Sequence, residues 1–473
     1  MSERIPRQNI RPPPGLERFF RIGKMIDDES IELAVKIIHL IRGHGIYKLK
    51  PSKDDKSTYM PFLQVVHDGW KLAQSIIADK LIENLTKLKG LEETKSIYHQ
   101  QHRGQDKDAI IERIKQVQIE NMILRRMIDS IVWAILDNEN STIRRLPMKK
   151  SGDNLSIQNI EDTRSFVDDL NQCPFTIAII SDITTFVHHG DIVERSLSGV
   201  RFIELKSGQK GISITNTAKT AQKLNCAIAS EILTRDFNTK DKKQYTRTSN
   251  QIKRNEDLAS TLKSGKGPDA LSGLEVRIQE TKIQVELYNE SLVLCRKRLE
   301  DHGTYAIITI DNCLHIGMYK TLEFAYVGFS SWMKGIECKS KIYNITDSFH
   351  DPLSRPLLSL DMPTEFIIEA LKGDIIMVAC LDIQAFYDLA ERTYPNMLSL
   401  TKPPSLVHLE EMQIDRLALT MTVDGDAGVV YLGDGLISRM VFDLQRPSNI
   451  LKMQYERSGR YYYLPPPTHG LAD

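Results

Sequence analysis

The sequence predicts an α+β protein built from more than one domain. Its 473 residues, 41% of them hydrophobic, suffice for two or three separate cores. Three stretches rich in β-branched and aromatic residues follow one another at 175–188, 191–197 and 200–206. Apolar residues recur at helical spacing on both sides of them. Three regions are expected: a helical N-terminal region at 1–105, a central α/β core at 106–330 and an α+β C-terminal domain at 345–473.

Composition excludes several classes of protein. Lysine plus arginine and aspartate plus glutamate both number 62, so no global positive field indicates a nucleic-acid partner. The six cysteines form no Cys-x-x-Cys pair, which argues against zinc ribbons and disulfide frameworks and fits reduced thiols. No run approaches the roughly 18 apolar residues of a membrane span, and the start carries no apolar signal segment. We therefore expect a cytoplasmic protein without a membrane partner.

Helical periodicity comes before the strands. Amphipathic patterns predict helices at 28–41, 61–88 and 108–136, whereas the polar stretch 138–172 predicts a loop.

The polar residues of the second and third strands suggest a site. If Ser198-Gly199 forms a two-residue turn, Asp191 faces Lys206. Glu204 then lies on the same face, roughly 7–8 Å from Asp191 between Cα atoms. Two carboxylates this close repel each other unless a divalent cation or the lysine neutralises them. An oxygen-rich, open site of this kind suits Mg²⁺.

An exposed cross-strand salt bridge is the alternative interpretation of the same residues, and it would contribute little to stability. Glu-x-Lys occurs at least four times in the chain, at Glu93, Glu204, Glu280 and Glu337. Only the Glu204 copy follows a hydrophobic strand and has an acid across a turn, which favours the metal site.

An aspartate followed about a dozen residues later by Glu-x-Lys on the next strand resembles the PD-(D/E)xK, or restriction-endonuclease-like, nuclease superfamily. The resemblance implies that Asp191, Glu204 and the Leu205 carbonyl hold Mg²⁺, or Mn²⁺ in its place. It also implies that Lys206 positions or activates the attacking water. The sequence departs from the superfamily pattern at Gly190, where proline would stand.

The resemblance further implies a restriction-endonuclease-like α/β core with a mixed sheet, in the order helix, three strands, helix, strand. The first helix of such a core often presents an acid to the metal, and the candidates are Glu120 and Asp129. The alternative for these acids is an ordinary helical ion pair, such as Arg125 with Asp129.

The remaining core elements are expected further along the chain. Helical spacing predicts the second core helix at 217–235, and strands at 305–310 and 314–319 are expected to complete the sheet. A helical insertion at about 237–302 would then interrupt the core. Strands are also expected at 417–423, 428–432 and 437–444.

A dense basic stretch lies between the second core helix and the later strands. Beside a nuclease core it is the best candidate for contact with a phosphate backbone, and a solvated loop is the alternative. Its cations are Lys240, Lys242, Lys243, Arg247, Lys253 and Arg254.

Residues 272–302 have a coiled-coil-like pattern. Apolar residues recur every seven positions, which predicts a long helix that could form a homodimer. The repeating residues are Ile278, Val285, Leu292 and Leu299.

The resemblance implies a Mg²⁺-dependent endonuclease that hydrolyses phosphodiester bonds of DNA, in prokaryotic nucleic-acid defence. RNA remains an open alternative substrate, and the C-terminal domain is a candidate surface for a protein partner. The second hypothesis is a non-catalytic recognition or assembly protein that uses the same fold and the helix at 272–302.

Overall fold

The computed structural model has the expected α+β class. It describes residues 27–50, 55–101, 103–143, 145–146, 155–205, 209–224, 227–268, 275–277, 283–394, 398–399, 417–423, 426–432 and 434–458. Contacts group the chain into one unit of residues 25–279 and another that contains residues 280–473. This division differs from the expected boundaries near 105 and 330.

The first unit begins with long helices that confirm the helical patterns of the sequence. The Asp27 carboxylate caps the first helix by accepting the Ser30 N–H at 2.8 Å. The longest helix has 42 residues and packs lengthwise on the next, which has 32. The helices are α1 (Asp28–Arg42), α2 (His44–Lys48), α3 (Tyr59–Gln100), α4 (Gly104–Ile135) and α5 (Asn140–Ile143).

A helix and a three-stranded sheet follow. Helix α6 (Ile157–Asn171) lies where the polar sequence predicted a loop. That prediction was wrong because Ser156 caps the helix and only one narrow apolar face, including Ile160 and Val167, is buried. The strands are β1 (Ile177–Ile180), β2 (Ile192–Ser196) and β3 (Gly199–Ile203), antiparallel and in the order β1-β2-β3.

The register of the β2–β3 hairpin differs from the predicted one. Ser196 pairs with Gly199, so the turn residues are Leu197 and Ser198. The Ser196 hydroxyl accepts the Ser198 N–H at 3.3 Å, and this local bond favours the earlier corner. The prediction that Ser198-Gly199 forms the turn was therefore wrong. Lys206, which that turn would place opposite Asp191, lies outside the described residues.

Side chains of two helices occupy the outer edge of β1. The Gln74 amide of α3 donates to the Ala178 carbonyl at 3.0 Å and accepts the Ile180 N–H at 2.9 Å. Asn171, the last residue of α6, accepts the Ala178 N–H at 2.8 Å. These amides satisfy backbone groups that an additional strand would otherwise pair with.

The rest of the first unit is mainly helical. The expected helix at 217–235 is two shorter helices. The basic stretch, for which a solvated loop was the alternative, is part of a helix of 26 residues within the expected helical insertion. That long helix packs against α7 and β3. The elements are α7 (Gln209–Leu224), α8 (Ala227–Leu233), α9 (Thr239–Ser264), β4 (Lys266–Pro268) and β5 (Glu275–Arg277).

The second unit is built on its own antiparallel sheet, in the order β6-β7-β9-β8. Strands β6 (Tyr305–Ile310) and β7 (Leu314–Tyr319) belong to it, so the prediction that they complete the β1–β3 sheet was wrong. All strand pairs among the described residues are antiparallel, which corrects the expected mixed sheet. None of the strands of this second sheet therefore serves as a fourth strand of the β1–β3 sheet.

The coiled-coil-like helix is much shorter than predicted. Within the described part of 272–302, only α10 (Asn289–His302) is helical, and β5 and a non-helical segment come before it. Leu292, Cys295 and Leu299 are fully buried against β6 and β7. Of the predicted homodimer seam, Leu292 and Leu299 are thus packed internally, Val285 is exposed, and Ile278 lies outside the described residues.

Helices cover the second sheet, and a two-residue strand and a hairpin come later in the chain. Residues expected to form a strand at 437–444 lie partly in helix α14. The remaining elements are α11 (Leu322–Gly335), β8 (Ile342–Asn344), α12 (Thr364–Lys372), β9 (Ile376–Leu381), α13 (Ile383–Thr393), β10 (Leu398–Ser399), β11 (Leu417–Val423), β12 (Asp426–Leu432), α14 (Asp434–Val441) and α15 (Pro447–Ser458). None of the described helices combines the length and apolar character of a membrane span.

Candidate functional site

Asp191 and Glu204 lie beside each other at the open end of the β2–β3 hairpin. The Asp191 N–H donates to the Ile203 carbonyl at 2.8 Å, and the Leu205 N–H donates to the Asp191 carboxylate at 2.5 Å. Asp191 therefore binds the residue before Glu204 and the residue after it. Asp191, Glu204 and Leu205 are all half-buried, so the hairpin end is open to solvent.

Gly190 sets the direction in which the chain enters this site. Its φ is +66°, and a Cβ at this position would lie 2.8 Å from the Ile203 carbonyl oxygen. Proline requires a φ near −65° and cannot adopt this conformation. The departure from the superfamily pattern thus has a local cause, because the backbone of residue 190 lies directly against β3.

His189 connects the same loop to helix α9. Its side chain is buried, and its ring contacts the Phe202 ring edge-on at 6.2 Å between centroids. Burial lowers the pKa of His189 to about 4, and Arg254 lowers it further, whereas the neighbouring Asn255 side chain acts in the opposite direction. Both neighbours belong to α9, so this helix packs against the loop that leads into Asp191.

The cations of α9 lie on its exposed face. Burial of Tyr245, Ile252 and Leu258 on the opposite face fixes the orientation of the helix. The six predicted nucleic-acid contacts are all exposed, namely Lys240, Lys242, Lys243, Arg247, Lys253 and Arg254. They form a solvated basic surface on a helix that packs against β3.

Glu120 has a structural environment between helices. Its carboxylate accepts the Ser30 hydroxyl at 2.8 Å and lies 3.9 Å from the Lys80 ammonium. These contacts join α1, α3 and α4, and they account for a buried acid at this position without a metal.

Asp129 is also engaged in the core. Its side chain is 0% exposed and pairs with Arg126, which is 1% exposed, at 2.9 Å. It also accepts the Thr185 N–H at 2.9 Å and the Thr185 hydroxyl at 2.5 Å. The expected Arg125 pairing is replaced by Arg126, because Arg125 donates to the Thr184 carbonyl instead. Asp129 anchors the loop between β1 and β2.

The cross-strand ion pair in this hairpin joins Glu194 and Arg201, which sequence reasoning missed. Two nitrogens of the Arg201 guanidinium, Nε and Nη2, donate to the Glu194 carboxylate at 2.8 and 2.9 Å. The Glu194 side chain is only 2% exposed, whereas that of Arg201 is 59% exposed. The correct hairpin register would have revealed the pair, since the two residues are directly opposite.

The donor atoms at the hairpin end fit a hard divalent cation better than a soft one. Carboxylate and carbonyl oxygens are the ligands that Mg²⁺ and Mn²⁺ prefer. Within the described part of the chain, no group of three or more His, Cys, Asp or Glu side chains could hold a metal ion. The oxygens at this position that could bind such a cation are those of the Asp191 and Glu204 carboxylates and the Leu205 carbonyl. Lys206 lies outside the described residues.

Comparisons with protein-family models, curated proteins and solved structures gave no match to this chain.

Replacing Gly190 with Ala tests the geometry at the entrance to the site. We expect a loss of roughly 2–4 kcal/mol in the free energy of unfolding, because left-handed backbone strain adds to contact with β3. Gly199→Ala is the matched control, since Gly199 also has a positive φ but nothing lies within 4 Å of its added Cβ. Urea unfolding measures both variants. Equal losses would contradict the described contact.

Replacing His189 with Gln tests its burial through the pH dependence of stability. An unfolded histidine binds a proton below about pH 6.5, whereas native His189 does so only below about 4. Its contribution to stability therefore falls as the pH drops from 6.5 to 4, by roughly 3 kcal/mol in all.

We expect His189→Gln to lose about that much less stability than wild type between pH 7 and pH 4. Urea unfolding at several pH values measures the difference. His99→Gln is the control, because His99 is exposed on α3. If the free energies of unfolding of wild type and His189→Gln changed equally with pH, the burial of His189 would be contradicted.

Proposed function

We propose that the chain is a metal-dependent nuclease that hydrolyses phosphodiester bonds of DNA. The observation that carries this proposal is the hydrogen bond from the Leu205 N–H to the Asp191 carboxylate, which brings Asp191 beside Glu204. A helix before strands β1 to β3 and helix α7 after them support it as well, since the PD-(D/E)xK resemblance implies helix, three strands, helix. The helix directly before β1 is α6, whereas the resemblance was drawn with α4, which carries Glu120 and Asp129, as the first core helix. The fourth strand of that pattern has no counterpart among the described strands that pair with β1–β3.

The roles of the residues follow from their chemistry. Asp191 and Glu204, with the Leu205 carbonyl, would hold Mg²⁺, whose charge would offset charge on the scissile phosphate. The Leu205 N–H orients the Asp191 carboxylate by a bond at 2.5 Å. Lys206 keeps its expected role of orienting or deprotonating the attacking water.

Helix α9 supplies the proposed contact with the substrate backbone. Its exposed lysines and arginines bind phosphates without reading sequence. Arg254 is close enough to His189 to lower its pKa, so this part of the basic face would bring a nucleic-acid strand toward the loop that leads to Asp191.

A non-catalytic assembly role is the second candidate, and one observation favours it. Leu224 at the end of α7 and Ile228 and Ile232 of α8 are each more than half exposed. Exposed apolar residues at this spacing are typical of a surface that meets a partner. This role predicts no metal-dependent cleavage.

Cleavage assays test the proposed site. Wild type is incubated with plasmid DNA, linear DNA and RNA in Mg²⁺ or Mn²⁺, with EDTA as the metal-free control. We expect cleavage that needs metal and that falls by roughly 100-fold or more in Asp191→Asn and in Glu204→Gln. Asp137→Asn is the matched control, because Asp137 is an exposed carboxylate paired with Arg195 of β2.

Two outcomes would overturn the proposal. Cleavage that persists in both variants would remove Asp191 and Glu204 from the site. Inactive wild type together with no calorimetric binding of Mg²⁺ or Mn²⁺ would exclude a metal-dependent nuclease and favour the assembly role.

Substitutions on α9 test the proposed substrate surface. The triple variant Lys242→Ala, Lys243→Ala and Arg247→Ala should bind duplex DNA more weakly. The slope of log affinity against log salt should fall by about 3, roughly one for each phosphate contact removed. Fluorescence anisotropy in EDTA measures both quantities without cleavage.

The control for this test removes three exposed lysines from the other unit, Lys334, Lys339 and Lys341. Its affinity and salt slope should match those of wild type. Equal effects of the two triple variants would show that α9 is not a specific surface for DNA.

A further inference from the structure

Two thiols meet in the second unit. Cys338 and Cys380 are 42 residues apart in the chain, and their sulfurs lie 3.9 Å apart. Cys380 is fully buried on β9, in an apolar cluster that includes Phe329 and Met333 of α11. Cys338 follows the end of α11 and is only partly buried. Cys380 is therefore shielded from solvent, whereas Cys338 is partly open to it.

The end of α11 positions Cys338. Glu337 has a φ of +58°, which turns the chain back after the last helical residues. The Cys338 N–H donates to the Met333 carbonyl at 3.0 Å, and the Glu337 N–H donates to the Lys334 carbonyl at 3.0 Å. These two bonds resemble a Schellman termination, which commonly places an apolar side chain against the preceding turn. Here that side chain is a cysteine that reaches β9.

Strand geometry positions Cys380. Alternate residues of β9 point to the same face, and Ile376, Val378 and Cys380 all belong to the cluster beneath α11. Cys380 therefore points at the helix end that carries Cys338. The backbone of Cys380 is held by pairing across the sheet with His315 and Ile342. The backbone of Cys338 is held by its bond to the Met333 carbonyl.

We propose that Cys338 and Cys380 are a reversible redox site and form an intrachain disulfide when the protein meets a peroxide. An S–S bond is about 2.0 Å long, so the sulfurs must approach by about 1.9 Å. Side-chain rotation and a small shift of the exposed residues 336, 337 and 339 can supply this movement. The inference does not depend on the proposed nuclease activity.

The chemistry proceeds in two steps. The Cys338 thiolate attacks a peroxide oxygen, so that an S–O bond forms, the O–O bond breaks and hydroxide leaves. The Cys380 sulfur then attacks the Cys338 sulfur, so that the S–S bond forms, the S–O bond breaks and a second hydroxide leaves. The protons of the two thiols convert both hydroxides to water, and two electrons pass from the thiols to the peroxide. A dithiol returns the disulfide to the two thiols by thiol–disulfide exchange and is itself oxidised to a cyclic disulfide.

Burial restricts Cys380 to the second step. Removal from water raises the pKa of its thiol, and the neighbouring Cys338 raises it further. The thiol thus stays protonated and shielded from an external oxidant, and it gives its proton to the departing hydroxide as its sulfur attacks the oxidised Cys338.

The disulfide would close a loop from residue 338 to residue 380, which contains β8 and α12. Closing such a loop restricts the unfolded chain and stabilises the folded unit. It would also hold the end of α11 on β9, so the oxidised and reduced forms differ in local opening as well as in stability.

Peptide mapping tests the proposal on the full chain. The reduced protein is treated with hydrogen peroxide, remaining thiols are alkylated, and peptides are analysed by mass spectrometry without reduction. We expect a linked peptide pair containing Cys338 and Cys380, lighter by two hydrogens and separated by dithiothreitol. The urea midpoint of the second unit should rise by roughly 1 M on oxidation.

Two cysteine variants test whether the linked peptide pair and the midpoint shift depend on Cys338. Cys338→Ser should abolish both the linked pair and the midpoint shift, whereas Cys173→Ser, at an exposed cysteine of the other unit, should retain both. Mapping of the wild type does not depend on any variant folding. Full alkylation of Cys338 and Cys380 after peroxide treatment, with Cys173 oxidised, would overturn the proposal. A disulfide between two chains in place of the intrachain bond would also overturn it.

Discussion

The buried ion pair between Arg126 and Asp129 is the constraint on which the candidate site depends. Both side chains are almost completely excluded from water, so neither charge can lose its partner without a penalty of about 3–5 kcal/mol. The same carboxylate binds the backbone and hydroxyl of Thr185. One helix thereby fixes the loop that runs from β1 to Gly190, and the direction of that loop decides where Asp191 lies.

The edge of β1 explains why the first sheet stops at three strands on that side. Gln74 and Asn171 both donate to the Ala178 carbonyl, Asn171 accepts the Ala178 N–H, and Gln74 accepts the Ile180 N–H. An incoming strand would therefore find these backbone groups occupied. Side-chain amides thus satisfy the hydrogen-bonding groups of this edge without adding a strand, which also hinders pairing with another chain.

Sequence patterns predicted the long helices and all three strands of the first sheet, because burial of one face imposes a period on each. They failed where local or tertiary contacts determine the structure. The hairpin turn lies one residue earlier than predicted, where the Ser196 hydroxyl accepts the Ser198 N–H. The polar composition of α6 gave no indication of a helix. The seven-residue spacing of Leu292 and Leu299 equally fits one face of a single helix packed on a sheet. The edge contacts of Gln74 depend on residues about 100 positions away and leave no local signal.

Net charge is a poor guide to the electrostatics of this chain. The whole sequence is neutral, yet α9 carries seven lysines and arginines against three acids, one of which, Asp241, is buried. At physiological salt, screening limits interactions between exposed charges to about 8 Å. The electrostatic potential at a phosphate on this face therefore depends on the charges of α9 and not on the net charge of the whole chain. In the proposed nuclease, this basic helix, which packs against the strand that leads to Asp191 and Glu204, would bind a phosphate while the two carboxylates hold a divalent cation.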